Sequence, residues 1–141
     1  KEIHTEFIVI EAGGVGYQIF ISANVINQMP DINQVVTLFT YHHIREDLQV
    51  LFGFISLEEK KLFALLTSVS GVGPKVSMKM LSTLTSKQII SAILQGDAPL
   101  LTSTPGVGKK VAERLIIELK DKIQKIYYKE IWYRIRIAIY Y

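Results

Sequence analysis

The sequence predicts an α+β protein in which a β-rich segment is followed by an all-helical one. Short runs rich in β-branched and aromatic residues, typical of strands, occupy the chain up to about residue 54. Apolar residues at helical spacing begin after Ser56 and continue to about Lys125. Within that helical part, the 17-residue stretch Leu65–Leu81 recurs at Leu100–Ile116 with nine identities. A repeat of this kind usually marks one supersecondary unit present twice.

Four strands are predicted before the change of periodicity. Glycines at 13, 14 and 16 separate the first two strands, which indicates a hairpin with a turn or bulge and no phosphate-binding role. Residues 24–33 include Pro30 and predict a loop or short helix. Residues 43–47 are expected to join the last two strands. The predicted strands are residues 3–10, 17–22, 35–42 and 48–54, a pattern typical of a small barrel or sandwich.

Five helices are predicted after the strands. Ser56 and Glu59 have the spacing of a capping box at the start of the first helix, and Thr85 or Ser86 is expected to cap the third. Residues 126–141 alternate like a strand but also carry isoleucines at helical spacing, so both structures remain open there. The five predicted helical segments read LEEKKLFALLTSV, PKVSMKMLSTL, SKQIISAILQ, APLLTST and KKVAERLIIELKDKI.

Composition narrows the class of protein. With 141 residues and 49% hydrophobic side chains, the chain can bury a core and is not expected to be disordered. The sequence has no cysteine, which excludes disulfides and thiolate metal sites and is compatible with the cytoplasm. His42 and His43 lack a third ligand at suitable spacing, so no metal site and no cofactor are expected. No signal region or membrane-length apolar run is evident.

Charge is divided unequally along the chain. Residues 1–61 carry four basic and eight acidic side chains, a net −4, whereas residues 62–141 carry twelve basic and five acidic, a net +7. A basic half is typical of a protein that binds nucleic acid. The acidic half needs a separate explanation.

Each copy of the repeat contains a Gly-x-Gly turn before a lysine-bearing helix. Glycine permits close approach of a ligand to the backbone, and a helix N-terminus offers unpaired N–H groups to an anion. The sequence therefore predicts two phosphate sites, although a plain αα-corner capped by glycine remains the alternative. The residues expected to form the sites are Gly71, Val72, Gly73 and Lys75 in the first copy and Gly106, Val107, Gly108, Lys109 and Lys110 in the second.

Other glycine motifs fit less well. A P-loop would need glycine and a hydroxyl residue where the second copy has Ser103 and Lys110. A dinucleotide fingerprint must follow a strand, but the preceding residues have helical spacing. What remains is similar to the helix-hairpin-helix element of DNA-binding proteins, present in tandem.

Four longer strings carry a resemblance that spans residues 3–125. In chain order they are GGVGYQIFIS, HIREDLQVLFGF, LEEKKLFALLTSVSGVGPKVSMKML and TPGVGKKVAERLIIELKDKI. Together they resemble the bacterial RuvA family, the Holliday-junction-binding subunits of a branch-migration complex in DNA recombination and repair.

The resemblance implies an N-terminal OB-fold β-barrel, then an all-α domain with two helix-hairpin-helix motifs, then a small mobile domain. It implies a homotetramer around a four-way junction, with one or two tetramers on the DNA. The implied partners are a RuvB-type hexameric ATPase, bound by the mobile domain, and a RuvC-type resolvase. The expected boundaries are 1–55, 56–125 and 126–141. The family's first strand is expected before residue 1, and its third domain is not recognisable in residues 126–141, so contact with the ATPase stays open.

The resemblance also assigns residues. It implies that the two glycine turns hold phosphates and that Glu46 and Asp47 form an acidic pin at the crossover, where their charge would repel phosphates. Without the resemblance, Glu46 and Asp47 would be interpreted as an ordinary solvated turn. Lys79 and Arg114 occupy matching repeat positions and are further candidates for DNA contact, with solvated helix faces as the alternative.

Two other functions are considered. Some DNA glycosylases use a nucleophilic lysine in the hairpin, a role that Lys110 could fill, but the nearest downstream acid in that helix is Asp121 and little room remains for a base-flipping pocket. A scaffold that contacts only proteins is the third alternative.

Overall fold

The protein consists of a four-stranded sheet followed by helices. The structure, a computed structural model, describes the backbone of residues 6–140 and the side chains of residues 6–126. The predicted α+β class is confirmed. The strands are β1 (Glu6–Ala12), β2 (Val15–Ile21), β3 (Phe39–Arg45) and β4 (Leu48–Phe54), and the helices are α1 (Ala23–Ile26), α2 (Leu57–Thr67), α3 (Pro74–Thr83), α4 (Ser86–Gln95), α5 (Ala98–Leu101) and α6 (Lys109–Tyr140).

The sheet is mixed and OB-like, with strand order β1-β2-β4-β3. β1 and β2 form the expected hairpin, whose two-residue turn places Gly13 and Gly14 at φ 60° and 82°. Positive φ at both central residues matches the right-handed twist of paired strands and favours glycine. β2 pairs with β4 in parallel, and β4 pairs with β3 antiparallel.

The third strand begins later than expected. Val35 is 96% exposed and lies outside the sheet, and β3 starts at Phe39. Antiparallel pairing then continues to Arg45 opposite Leu48, since each residue on the way has a partner in β4. The prediction that residues 43–47 join the strands was therefore wrong. Only Glu46 and Asp47 form the connection.

The two faces of the sheet bury different clusters. One face contributes Ile19 and Ile21, which pack with Val25 of α1. The other face presents Phe52 and Phe54 to the helices. Because neighbouring strand residues point to opposite faces, the alternation in β2 and β4 separates the two clusters.

Phe63 of α2 joins the sheet to the helices. Its side chain is fully buried, and its ring centroid lies 4.9 Å from that of Phe54, 5.2 Å from that of Phe52 and 5.3 Å from that of Tyr41. Such distances are typical of favourable aromatic pairs. Tyr41 and Phe52 therefore pack on the side of the sheet that faces the helices.

A second link runs from α1 to α3. The backbone N–H of Ala23 donates to Ser82 Oγ at 3.0 Å. The side-chain amide of Asn24 donates to the carbonyls of Leu81 and Leu84 at the end of α3. These bonds satisfy backbone groups that a helix end leaves unpaired. β3 and β4 thus contact α2, and α1 contacts α3, so the N-terminal part of the chain touches both helices of the first repeat.

Side chains cap the helices around the repeats. Ser56 Oγ accepts the Glu59 N–H at 3.2 Å, as expected for an N-cap. The half-buried position of Glu59 raises the pKa of its carboxyl, while a backbone hydrogen bond from Ile55 opposes the rise. Thr85 and Gln88 form a complete capping box at the start of α4. Of the two caps suggested for that helix, Thr85 is confirmed.

The last helix is long and the one before it short. α5 ends at Leu101, so the predicted helical segment 98–104 closes in a turn. α6 continues to Tyr140, and the backbone of residues 126–140 is helical rather than extended. Within the described part of the chain, no helix has the length and apolar character needed to cross a membrane.

Gly53 in β4 supplies a test of this packing. A Cβ there would lie 2.7 Å from Ile19 Cγ2 and 3.2 Å from both Ile21 Cγ2 and Leu38 Cδ1. Gly53→Ala should lower the free energy of unfolding by about 1–3 kcal/mol through overpacking, measured by urea denaturation. Gly16→Ala is the control, because its Cβ would lie 3.4 Å from Val9 Cγ1 and should change stability by no more than about 0.5 kcal/mol. Equal effects of the two changes would contradict the packing described.

Candidate nucleic-acid interface

The two repeats fold into the same turn. In both, a left-handed glycine follows the first helix, with φ 89° at Gly71 and 92° at Gly106. Because φ in this region strains residues with a Cβ, glycine is required there. Matching backbone hydrogen bonds hold the turns: Ser68 to Leu65, Val69 to Leu66 and Val72 to Val69 in the first copy, and Ser103 to Leu100, Thr104 to Leu101 and Val107 to Thr104 in the second.

The helix that follows each turn begins without a side-chain cap. Gly73 is the N-cap of α3 and makes no side-chain hydrogen bond. Gly108 precedes α6 in the same way, and its carbonyl accepts the Ala112 N–H at 2.9 Å. The helices outside the two turns differ, since α1, α2, α4 and α5 are capped by the side chains of Ser22, Ser56, Thr85 and Asp97.

The uncapped helix starts can receive an anion. The first N–H groups of a helix have no intrahelical acceptor, and the helix dipole adds partial positive charge. Gly73 and Gly108 are exposed, as are the side chains of Lys75, Lys109 and Lys110 within the first turn of each helix. Phosphate oxygens suit this combination of backbone donors and lysines.

The valine between the two glycines is buried, unlike the exposed glycines and lysines around it. Val72 and Val107 are each 4% exposed, and their N–H groups donate to Val69 and Thr104 within the turn. Neither their side chains nor their N–H groups are therefore free to meet a ligand. The sequence grouped these valines with the phosphate contacts, whereas the structure shows that they anchor each turn to the core.

The two turns contact each other's helix. A Cβ on Gly71 would lie 3.9 Å from Val111 Cγ2, and a Cβ on Gly106 would lie 3.9 Å from Val76 Cγ2. Val76 and Val111 occupy the same repeat position, 35 residues apart. Such reciprocal contact is the mark of approximate twofold symmetry. The repeats therefore pack as one symmetric pair, and the two lysine-flanked helix starts belong to a single unit.

Arg114 and Lys79 are equivalent in sequence but not in environment. Arg114 is exposed on α6, and its Nη1 donates to the Ser70 carbonyl of the first turn at 2.9 Å. Lys79 is half-buried on α3. The hydrogen bond from Arg114 to Ser70 could not be predicted from the sequence, because it joins residues 44 positions apart.

Glu46 and Asp47 form the tip of the β3–β4 hairpin. Both side chains are exposed, and the last paired residues below them are Arg45 and Leu48. The chain therefore carries two carboxylates at the end of a paired, twisted ribbon. A groove lies beside this ribbon, between the sheet and the first repeat, and its lining includes Arg45, Leu48, Lys75 and Lys79.

Two hydroxyls are buried at positions that the sequence pattern does not distinguish. Ser77 and Thr104 are at most 1% exposed, and the Oγ atom of Ser77 and the Oγ1 atom of Thr104 have no hydrogen-bond partner. Their repeat counterparts are Ala112 and Val69, which are apolar. The apolar member of each pair shows that the position tolerates a residue without a hydroxyl. Among the described residues, no three His, Asp or Glu side chains are grouped to hold a metal.

Comparison with known proteins identifies both halves. Residues 1–53 match the family model described as RuvA N terminal domain, and residues 63–121 match the SAM-like helix-hairpin-helix tandem. The predicted tandem of hairpins is confirmed by the second match.

Relatives extend the match across most of the chain. Proteins named Holliday junction branch migration complex subunit RuvA from Ruminiclostridium cellulolyticum, Acetivibrio thermocellus and Chlorobaculum parvum are 43%, 44% and 46% identical. The aligned regions cover 89%, 86% and 86% of this chain and 63%, 60% and 59% of the respective relatives. The chain thus spans about three fifths of their length. With one sheet-domain match, one tandem-hairpin match and this level of identity, the chain is similar to RuvA proteins across both its sheet and its tandem hairpins.

Proposed function

We propose that the protein binds four-way DNA junctions through the phosphate backbone and holds them open for branch migration by a partner ATPase. The observation that supports this most directly is the symmetric pair of glycine turns. Each turn leads into an uncapped helix start with exposed lysine, whereas the neighbouring helices are capped by side chains. Phosphate contacts position a protein on DNA but carry no sequence information. Recognition would therefore follow the shape of the junction.

The acidic tip would supply the preference for a junction. Glu46 and Asp47 are exposed at the end of the β3–β4 hairpin, next to a groove that includes Lys75 of the first turn. Carboxylates near a phosphate backbone repel it, whereas lysines attract it. On a four-way junction the tip would enter the open centre while the turns hold the arms. A continuous duplex offers no such opening, so the same carboxylates would oppose its binding.

The proposed assembly is a homotetramer, with one or two tetramers on a junction. Four copies would present eight glycine turns, two for each arm. Weak contacts joined in this way bind strongly because each additional contact becomes intramolecular. The protein would be a non-catalytic subunit in the cytoplasm, with a RuvB-type ATPase and a RuvC-type resolvase as partners. Residues 1–55 and 56–125 would act as the sheet and hairpin domains.

Lys110→Glu should weaken binding to junction and duplex DNA alike, by about tenfold or more, because it replaces a charged phosphate contact with repulsion. A gel shift at two salt concentrations would measure the loss. Lys122→Glu is the matched control: it makes the same charge change on the exposed surface of α6, about 18 Å along the helix axis. The phosphate-site assignment fails if the two variants lose affinity equally or if Lys110→Glu binds normally.

Neutralising the acidic tip should have the opposite effect on affinity for duplex DNA. The double change Glu46→Gln and Asp47→Asn should raise duplex affinity several-fold and reduce the preference for junctions, because it removes repulsion from phosphates. Competition of unlabelled duplex against a labelled junction would measure this ratio. The double change Glu6→Gln and Glu11→Gln removes the same charge from exposed positions of β1 and should leave the ratio unchanged. A ratio that stays at the wild-type value in the tip variant would exclude the proposed role.

The particle mass should correspond to four chains, or to eight on DNA. Mass photometry with and without a synthetic four-way junction would show this, with duplex of equal length as the control. A monomer that saturates the junction one chain at a time would contradict the assembly proposed.

A further inference from the structure

The two glycine turns are alike in backbone but not in stiffness. The residue before the left-handed glycine is Pro105 in the second turn and Ser70 in the first. Proline restricts its own φ and also restricts the residue before it, so the second turn loses fewer conformations on folding. Serine imposes no such restriction. The first turn therefore needs another constraint if both turns are to be held equally well.

Arg114 supplies a contact at that point. Its Nη1 donates to the carbonyl of Ser70 at 2.9 Å, and the same nitrogen lies 3.4 Å from where a Cβ of Gly71 would stand. The guanidinium therefore lies against Ser70, whose place is taken by proline in the second turn, and against the left-handed glycine that follows it. Arg114 itself belongs to α6, the helix that starts at the second turn. One side chain thus ties the flexible turn to the helix of the stiff one.

We infer that Arg114 is a positioning residue, which holds the first glycine turn in register with the second instead of contacting phosphate. Its planar fork can bond a fixed carbonyl with little loss of further freedom, unlike the point charge of lysine. Lys79, its repeat counterpart, lines the groove between the sheet and the first repeat, and proline already restricts the second turn. Arginine thus occurs at the repeat position that contacts the turn with serine, and lysine occurs at the equivalent position where the other turn has proline.

The pair of turns would act as a unit only while this register holds. Two phosphate sites on one rigid body engage the backbone together, whereas a mobile first turn must be ordered when DNA binds. The DNA-binding part of this inference rests on the proposed function. The effect on the turn itself does not, because it concerns the protein without DNA.

Hydrogen exchange of two equivalent amides tests the inference in the DNA-free chain. The Val72 N–H donates to Val69 at 3.0 Å, and the Val107 N–H donates to Thr104 at 3.1 Å. In Arg114→Met the Val72 amide should exchange roughly fivefold faster while the Val107 amide is unchanged, because one hydrogen bond to the first turn is lost. Lys79→Met is the matched control and should leave the Val72 amide at its wild-type rate.

A proline at position 70, where the second turn has Pro105, should restore the order of the first turn in the Arg114→Met variant. Among the described residues the Ser70 N–H donates to no backbone carbonyl, so Ser70→Pro removes no such bond. In the double variant Arg114→Met with Ser70→Pro, the exchange rate of Val72 should return toward the wild-type value. Junction affinity should fall about three- to tenfold in Arg114→Met and recover in the double variant. The slope of log affinity against log salt should stay at the wild-type value in both, since no phosphate contact is removed.

Several outcomes would overturn the inference. If Arg114→Met reduces the salt slope by about one and leaves Val72 exchange unchanged, Arg114 contacts a phosphate. Equal acceleration of Val72 and Val107 would indicate general destabilisation, and absence of rescue by Ser70→Pro would exclude the constraint described. Faster Val72 exchange with unchanged junction affinity would remove the role in binding. If the wild-type chain itself does not bind junctions, the proposed function fails, and the exchange rates still decide whether Arg114 positions the turn.

Discussion

The contact of Phe63 with the aromatic face of the sheet determines how the rest of the molecule is arranged. The sheet carries the acidic tip, and the helices carry the glycine turns. Phe63 lies within 5.3 Å of three aromatic rings from β3 and β4, measured between ring centroids, and it starts a core that continues through the helices. Because this contact is buried and α1 is bonded to α3 as well, opposite charges are held at a defined separation on one framework.

The glycine turns leave helix N–H donors unsatisfied, which costs stability, but the same free donors are needed to bind an anion. A glycine N-cap leaves donors unsatisfied, and a serine or aspartate there would accept one of them. The same side chain would occupy the place of an anion. The structure compensates elsewhere: Val72 and Val107 anchor the turns in the core, and the neighbouring helices have side-chain caps. Stability is therefore concentrated around the two turns, and their open donors are left for a ligand.

Much of this architecture could be predicted from the sequence, because it depends on local patterns. Ser56 and Thr85 indicate helix starts because their side chains cap nearby N–H groups, and the paired glycines indicate turns because they permit positive φ. The start of β3 at Phe39 could not be predicted, since β-branched Val35 resembles a strand residue and only pairing with β4 excludes it. The inward position of Val72 and the bond from Arg114 to Ser70 depend on tertiary packing, which residue spacing does not reveal.

Parallel pairing of β2 with β4 sets an order of events during folding. The hairpins β1–β2 and β3–β4 close locally, but Ile19 meets Leu51 only after 31 intervening residues have been ordered or looped out. Non-local strand pairing of this kind is slow compared with the formation of contacts that are local in sequence. During synthesis the sheet cannot be completed before β4 has emerged, and α2 follows within a few residues. Phe63 follows Phe52 and Phe54 closely in the chain, so the residue that covers the aromatic face of the sheet is synthesised before the second repeat.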